Sequence, residues 1–297
     1  MWRAAVLLAI VVALVFLLWP RNSKFTLKEI PKTIWTFWDS EDLPDFVSKS
    51  IDSWRKHSPD FTINVVTPSK FSEYFTDEEI NIINDADSGP RKSDYVRLFI
   101  LADKGGVWSD SSIVATRSHE WIIDEQKSKG FEFFGYDREY STTRPEYPAV
   151  ESWFFACIPK CDFVQKWRDE FLRMRSFTTP AEYIEDLKSK GIDFQRIPMP
   201  EYLAVYLSAQ HVMQKQMTIE EIKQKLRIVK SDDGPFKHSI ESDWDPSKSM
   251  KWLCDQSPST LPDLIKIYGN ERRAIEVDPS LACVNKIFES EIQGTPL

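Results

Sequence analysis

Ser93 to Ser112 reads SDYVRLFILADKGGVWSDSS, and the change of pattern within it decides the fold. Up to Lys104 the apolar residues Val96, Phe99 and Ile100 fall on one face at helical spacing, while Asp94 and Arg97, three residues apart, share another. A helix is predicted from about Arg91 to Lys104, ended by Gly105-Gly106, which lets the chain turn sharply. Val107-Trp108-Ser109 is then a short strand that delivers Asp110 to its carboxyl end.

The same alternation recurs on both sides of this stretch. Strands are predicted at Lys32–Phe37, Phe61–Val66, Phe131–Tyr136 and Trp153–Ile158, from short β-branched and aromatic runs. Helices are predicted at Asp45–His57, at Thr76–Ala86 behind a Thr76/Glu79 capping signature, and at Cys161–Ser176, Ala181–Lys190 and Tyr202–Lys215. Alternating strands and helices imply an α/β fold with an open sheet flanked by helices. Ligands of such sheets sit beyond the carboxyl ends of the strands. The residues just after Phe37 and Ser109, namely Trp38-Asp39 and Asp110-Ser111-Ser112, are therefore where chemistry is expected.

The chain has 297 residues and a net charge of -8, from 38 basic and 46 acidic side chains. That balance disfavours a nucleic-acid partner. Cys157, Cys161, Cys254 and Cys283 lack the paired spacing of a zinc site; they permit disulfides and equally fit buried thiols, and no connectivity follows.

The run AAVLLAIVVALVFLLW, Ala4 to Trp19, carries no charge and is bracketed by Arg3 and Arg21. At ~1.5 Å per residue it spans roughly 24 Å, enough for a thin bilayer with Trp2 and Trp19 at its interfaces. The following WPRNSK lacks a small-x-small cleavage pattern, which favours an uncleaved anchor over a signal peptide. The expected organisation is a membrane helix at 1–20, a stem at 21–29 and a catalytic body at 30–297. Arg21, Lys24, Lys28 and Lys32 flank the body side, where the positive-inside rule alone would place cytoplasm, so the topology stays open.

Residues 30–39 (IPKTIWTFWD), the helix with SDYVRL, the GGVWSD turn and, more weakly, ESWFFACIPKCDFVQKW resemble the capsular polysaccharide synthesis proteins and related sugar transferases with a DXD element. The resemblance covers roughly Ile30 to Trp167. It implies a GT-A-like, mostly parallel sheet and transfer of a sugar from a nucleotide-sugar donor to a glycan acceptor. Together with the apolar run at 4–19, the expectation is a single-pass, type II signal-anchored protein of a secretory pathway or cell envelope. By position, Trp35, Trp38 and Asp39 would line the nucleoside pocket, with Lys92, Asp94 and Arg97 near the diphosphate and donor sugar. Asp110 would open the DXD element and bind a divalent cation, Mn2+ or Mg2+. Ser112 stands where the second aspartate is usual, and a hydroxyl is a weaker ligand for a hard cation. Glu151 is a candidate carboxylate near the acceptor. His238, in a loop broken by Gly234-Pro235, is a candidate for the diphosphate or metal.

Each assignment competes with a plainer one. Asp94 and Arg97 also read as a surface ion pair worth about 0–1 kcal/mol, Asp110 as a turn cap, Glu151 as a charge ending a core strand, and His238 as a solvated loop residue. At the level of the whole chain, the alternatives are a non-catalytic, membrane-tethered glycan-binding or scaffold protein and, further off, a two-carboxylate glycoside hydrolase.

Overall fold

The computed structural model describes residues 28–289. The apolar run at 4–19 and most of the stem lie outside them, and among the described residues no helix is long and apolar enough to cross a membrane.

Six strands form the central sheet: β1 (Thr33–Phe37), β2 (Thr62–Val66), β3 (Gly106–Ser109), β5 (Phe133–Asp137), β6 (Val150–Cys157) and β7 (Leu226–Lys230), in the order β2-β1-β3-β6-β5-β7. The β1–β2, β1–β3 and β5–β7 pairs are parallel, and β6 alone runs antiparallel to both its neighbours, β3 and β5. The predicted α/β class with a mostly parallel sheet is thus the one present. Because β6 is inverted, its first residues lie beside the carboxyl end of β3: Ser109 pairs with Phe154, and the Asp110 amide donates to the Trp153 carbonyl at 2.9 Å.

Most sequence expectations hold to within a few residues. The Asp45–His57 helix is as predicted. Thr76 and Glu79 form the reciprocal capping box at the head of Asp77–Asn84. The central helix is longer than expected, Gly89–Lys104, because Ser88 caps it and Pro90 sits in its first turn, where the missing N–H costs nothing. It packs against β1, β3 and β6 on one side and the Asp162–Arg173 helix on another. Gly105 and Gly106 have positive φ, 64° and 98°, and a Cβ would fall 2.5 Å from the Pro159 nitrogen at the first and 2.7 Å from the Thr33 carbonyl at the second. The turn that aims β3 at its site therefore needs both glycines.

A second, smaller sheet escaped the sequence reading. β4 (Ile113–Ala115) pairs antiparallel with β8 (Leu264–Lys266), Ile113 opposite Lys266. Trp54 of the Asp45–His57 helix holds β4 from behind, its indole N–H donating to the Ile113 carbonyl at 2.8 Å. Met250, Leu253, Leu261, Ile265, Leu281 and Val284 close a minor core around this ribbon, and a disulfide joins Cys254 to Cys283, while Cys157 and Cys161 are buried free thiols. Crosslinking two residues 29 apart is worth roughly 3–4 kcal/mol by loop entropy. Replacing both cysteines by serine is expected to lower the melting temperature by several degrees, and reductant to do the same to the unmodified chain alone. A variant that melts with the unmodified chain would show that the minor core does not depend on the bridge.

Candidate functional site

The carboxyl ends of β1 and β3, the start of β6 and the end of β8 open onto one cavity of about 700 Å³. Of the residues singled out in the sequence, Trp38, Asp39, Asp94, Arg97, Asp110, Ser112 and Glu151 line it. Lys92 does not line it, but its ammonium lies 2.9 and 3.0 Å from the two carboxylate oxygens of Asp39, which does.

Arg97 organises the floor. Its side chain is only 5% exposed, which excludes the surface ion pair. The guanidinium donates to the Ser152 carbonyl at 2.8 Å, the Ser152 hydroxyl at 2.6 Å and the Ser93 hydroxyl at 2.7 Å. It also lies 3.4 Å from Asp94 and 3.3 Å from Asp110, joining the SD-x-x-R helix to the DXD-like turn. Burial pushes the Asp94 carboxyl up to about 6 despite Arg97 and Arg91 beside it.

Asp110 is held from three sides. Its Oδ1 accepts from the Trp108 indole at 3.0 Å and faces Arg97, and its Oδ2 accepts from the Lys266 ammonium at 2.7 Å. Burial raises this carboxyl, but Lys266 and Arg97 outweigh it and hold it below the usual carboxylate range. The same ammonium donates to the Ser112 hydroxyl at 2.9 Å. Lys266 thus engages both ends of the Asp-x-Ser element.

Glu151 stands across the floor. Its Oε2 accepts from the Trp153 indole at 2.5 Å and the Tyr206 hydroxyl at 2.6 Å, and among the described residues none donates to Oε1. Burial pushes its carboxyl up to about 7 against those two donors and the nearby positive charge. A group balanced at that value can exchange a proton near neutral pH.

Two expectations need correction. Trp35 does not line the cavity; it is buried behind it, with its indole donating to the Gly105 carbonyl at 3.1 Å and its ring edge-on to Tyr74. It braces the glycine turn. His238 is neither in a loop nor exposed: it lies on the short Lys237–Ile240 helix, 0% exposed, beside Ser239 and 3.4 Å from Glu271. The loop expected around Gly234-Pro235 gives way to this helix because Phe236 turns into the core, carrying His238 into the packing behind the site.

The divalent cation expected at Asp110 finds a poor donor set. Both carboxylate oxygens and the Ser112 hydroxyl already face cationic or N–H donors, and among the described residues no three His, Cys, Asp or Glu side chains gather to hold a metal. A dication about 4 Å from the Lys266 ammonium would meet a repulsion of about 8 kcal/mol at an effective dielectric of 20. The residues present do not fit the ion.

The sequence reading missed Lys266, Arg138, Arg272, Tyr206 and Tyr268, all of which line the cavity. Lys266 left a faint mark, a lysine inside the apolar run LIKIY before Gly269. The others sit in segments whose neighbours are set only by the tertiary fold.

The fold is similar to that of the PaToxG glycosyltransferase, 13% identical over 90% of this chain and 88% of that one, TM-score 0.42. It is also similar to a glycosyltransferase involved in the glycosylation of the major capsid of PBCV-1, 8% identical over 82% and 97%, TM-score 0.43. A third similar structure is mouse xyloside xylosyltransferase 1, apo form, 8% identical over 80% and 98%, TM-score 0.42. Likenesses of this degree decide neither substrate nor mechanism. No curated protein sequence matches the chain significantly. The profile of the family described as capsular polysaccharide synthesis protein matches residues 19–179. That span is more than half of the 297 residues and contains the SD-x-x-R helix, the Gly105-Gly106 turn, Asp110 and Glu151, so the chain belongs to the capsular polysaccharide synthesis protein family.

Proposed function

We propose that the chain is a nucleotide-sugar-dependent glycosyltransferase of GT-A type that transfers a sugar to a glycan acceptor. The observation that carries this reading is the convergence of Arg97 and Lys266 on Asp110 at the cavity floor, with Glu151 across from them. Cations at the carboxyl ends of the strands suit a diphosphate, and fixed charge of this kind stabilises a leaving anion without reorganising. Trp38 offers an apolar wall for a nucleoside and Asp39 an acceptor for ribose hydroxyls.

Transfer breaks the bond between the anomeric carbon and the diphosphate oxygen and forms one to an acceptor hydroxyl. The diphosphate leaves toward Arg97 and Lys266, and the hydroxyl proton has Glu151 Oε1 as its receiver. The cavity rim exposes Met199 and Tyr202, 63% and 55% accessible, and the Tyr202 ring, near Asp94 and Asp110, is a surface on which a sugar face can stack. The test is release of nucleoside diphosphate by the purified full chain from a panel of UDP- and GDP-sugars. Release from one donor, accelerated by glycan, is expected; glycan binding without release from any donor would favour the non-catalytic protein.

The same proposal includes a type II anchor at 4–19 with the catalytic body outside the cytoplasm. The Cys254–Cys283 bridge supports that side of the membrane, because disulfides persist in oxidising compartments, and it weighs against the basic residues that follow the apolar run.

A further inference from the structure

We infer that Lys266 serves as a resident cation in place of a divalent metal, so that this chain grips the diphosphate of its donor through its own ammonium and needs no metal ion to do so. The inference deepens the transferase reading and rests on it for the identity of the donor, but the geometry stands by itself. The β4–β8 pairing sets Ile113 opposite Lys266, and the Ile267 amide donates to the Ser112 carbonyl at 3.1 Å. These contacts fix the lysine backbone against the Asp110–Ser112 turn. From there the ammonium reaches the Asp110 carboxylate at 2.7 Å and the Ser112 hydroxyl at 2.9 Å, while its ring neighbour Trp153 lies 5.9 Å away.

Three features separate this from an incidental ion pair. First, the lysine side chain is 9% exposed and nevertheless lines the cavity, so what little of it is accessible faces the ligand space. An ammonium has three N–H groups, and two are committed to Asp110 and Ser112. Second, serine at position 112 suits an ammonium, which needs acceptors with modest charge, and is a weak ligand for a hard dication. The Ser112 hydroxyl and the Lys266 ammonium are thus chemically matched to each other. Third, Arg97, Arg138 and Arg272 line the same space with Lys266, and these four cations, set beside the carboxylates Asp39, Asp94, Asp110 and Glu151, give a polyanion side-chain partners without a bridging metal.

The test uses the purified full chain and inorganic pyrophosphate as the probe, with binding followed by calorimetry in chelator and in Mn2+, and Mn2+ binding followed separately by electron paramagnetic resonance. Pyrophosphate should bind in chelator with an affinity within about twofold of that in Mn2+, and the chain alone should bind no Mn2+ at micromolar concentration. Lys266→Met should lose at least tenfold in pyrophosphate affinity in chelator, and Lys266→Arg should recover most of it. The double variant Lys266→Ala/Ser112→Asp, which restores a second carboxylate and removes the ammonium, should acquire Mn2+ binding. Failure of the unmodified chain to bind pyrophosphate in chelator, or its stoichiometric binding of Mn2+, would overturn the inference without recourse to any variant. Metal-independent pyrophosphate binding with no turnover of any sugar nucleotide would leave the resident cation in place and sink the transferase reading instead.

Discussion

Asp110→Asn is expected to reduce transfer by at least a hundredfold while the protein remains folded. The substitution keeps the size of the side chain and its hydrogen bond from Trp108, and removes the one charge that Arg97 and Lys266 share. Two cations then lose a common tether, and the loss of aimed charge at a leaving group typically costs 10²–10³ in rate. Some stability goes with it, because Lys266 is left largely buried without its carboxylate. The measurement is kcat/KM beside a thermal melt. Full activity in the variant would remove Asp110 from the site; a chain that no longer folds would make it a structural anchor. The structure sharpens what the sequence suggested, since a strand-end carboxylate bound on three sides is less dispensable to the fold than a free one.

Glu151→Gln should produce the opposite pairing of effects: a protein with little or no transfer that is more stable at pH 8. The native carboxyl titrates at about 7 against an ordinary value of 4.5. Between those values the folded chain holds a proton that the unfolded chain has lost, so stability falls as pH rises through this window, and above it the whole penalty applies. A shift of that size amounts to roughly 3 kcal/mol. Glutamine stays neutral, still accepts from Tyr206 and Trp153, and escapes the penalty. Its melting temperature should match that of the unmodified chain at pH 4.5 and exceed it by about 6–10 °C at pH 8. Transfer by the unmodified chain should rise between pH 6 and 8 as Glu151 ionises. A variant less stable at pH 8, or a flat pH profile, would assign Glu151 to the core.

The parts of this architecture that were legible are those whose signals are local. The Thr76/Glu79 box, the glycine pair at 105–106 and the apolar face of the central helix are each decided within a few residues, and from them followed the α/β class and the position of Asp110. Glu151 was found through a resemblance whose segment also contains Trp153, and its partner Tyr206 only through the fold. β4 and β8 are three residues each, too short for a periodic pattern, and their pairing spans about half the chain. Lys266 was hidden for that reason. His238 misled because a Gly-Pro break looks the same whether the chain continues into solvent or, as here, folds back under the site.

The inverted strand β6 divides responsibility for specificity. Asp110 comes after its strand and Glu151 near the start of its own, so on the proposed transferase reading the chain enters the acceptor side from residues 138–149 and leaves the donor side toward β4. Insertions or deletions in the 138–149 segment can reshape the surface next to Glu151 while Asp110 stays pinned to the Trp153 carbonyl. If the transferase proposal holds, a lineage built on this plan can change which glycan it extends without renegotiating how it holds the nucleotide.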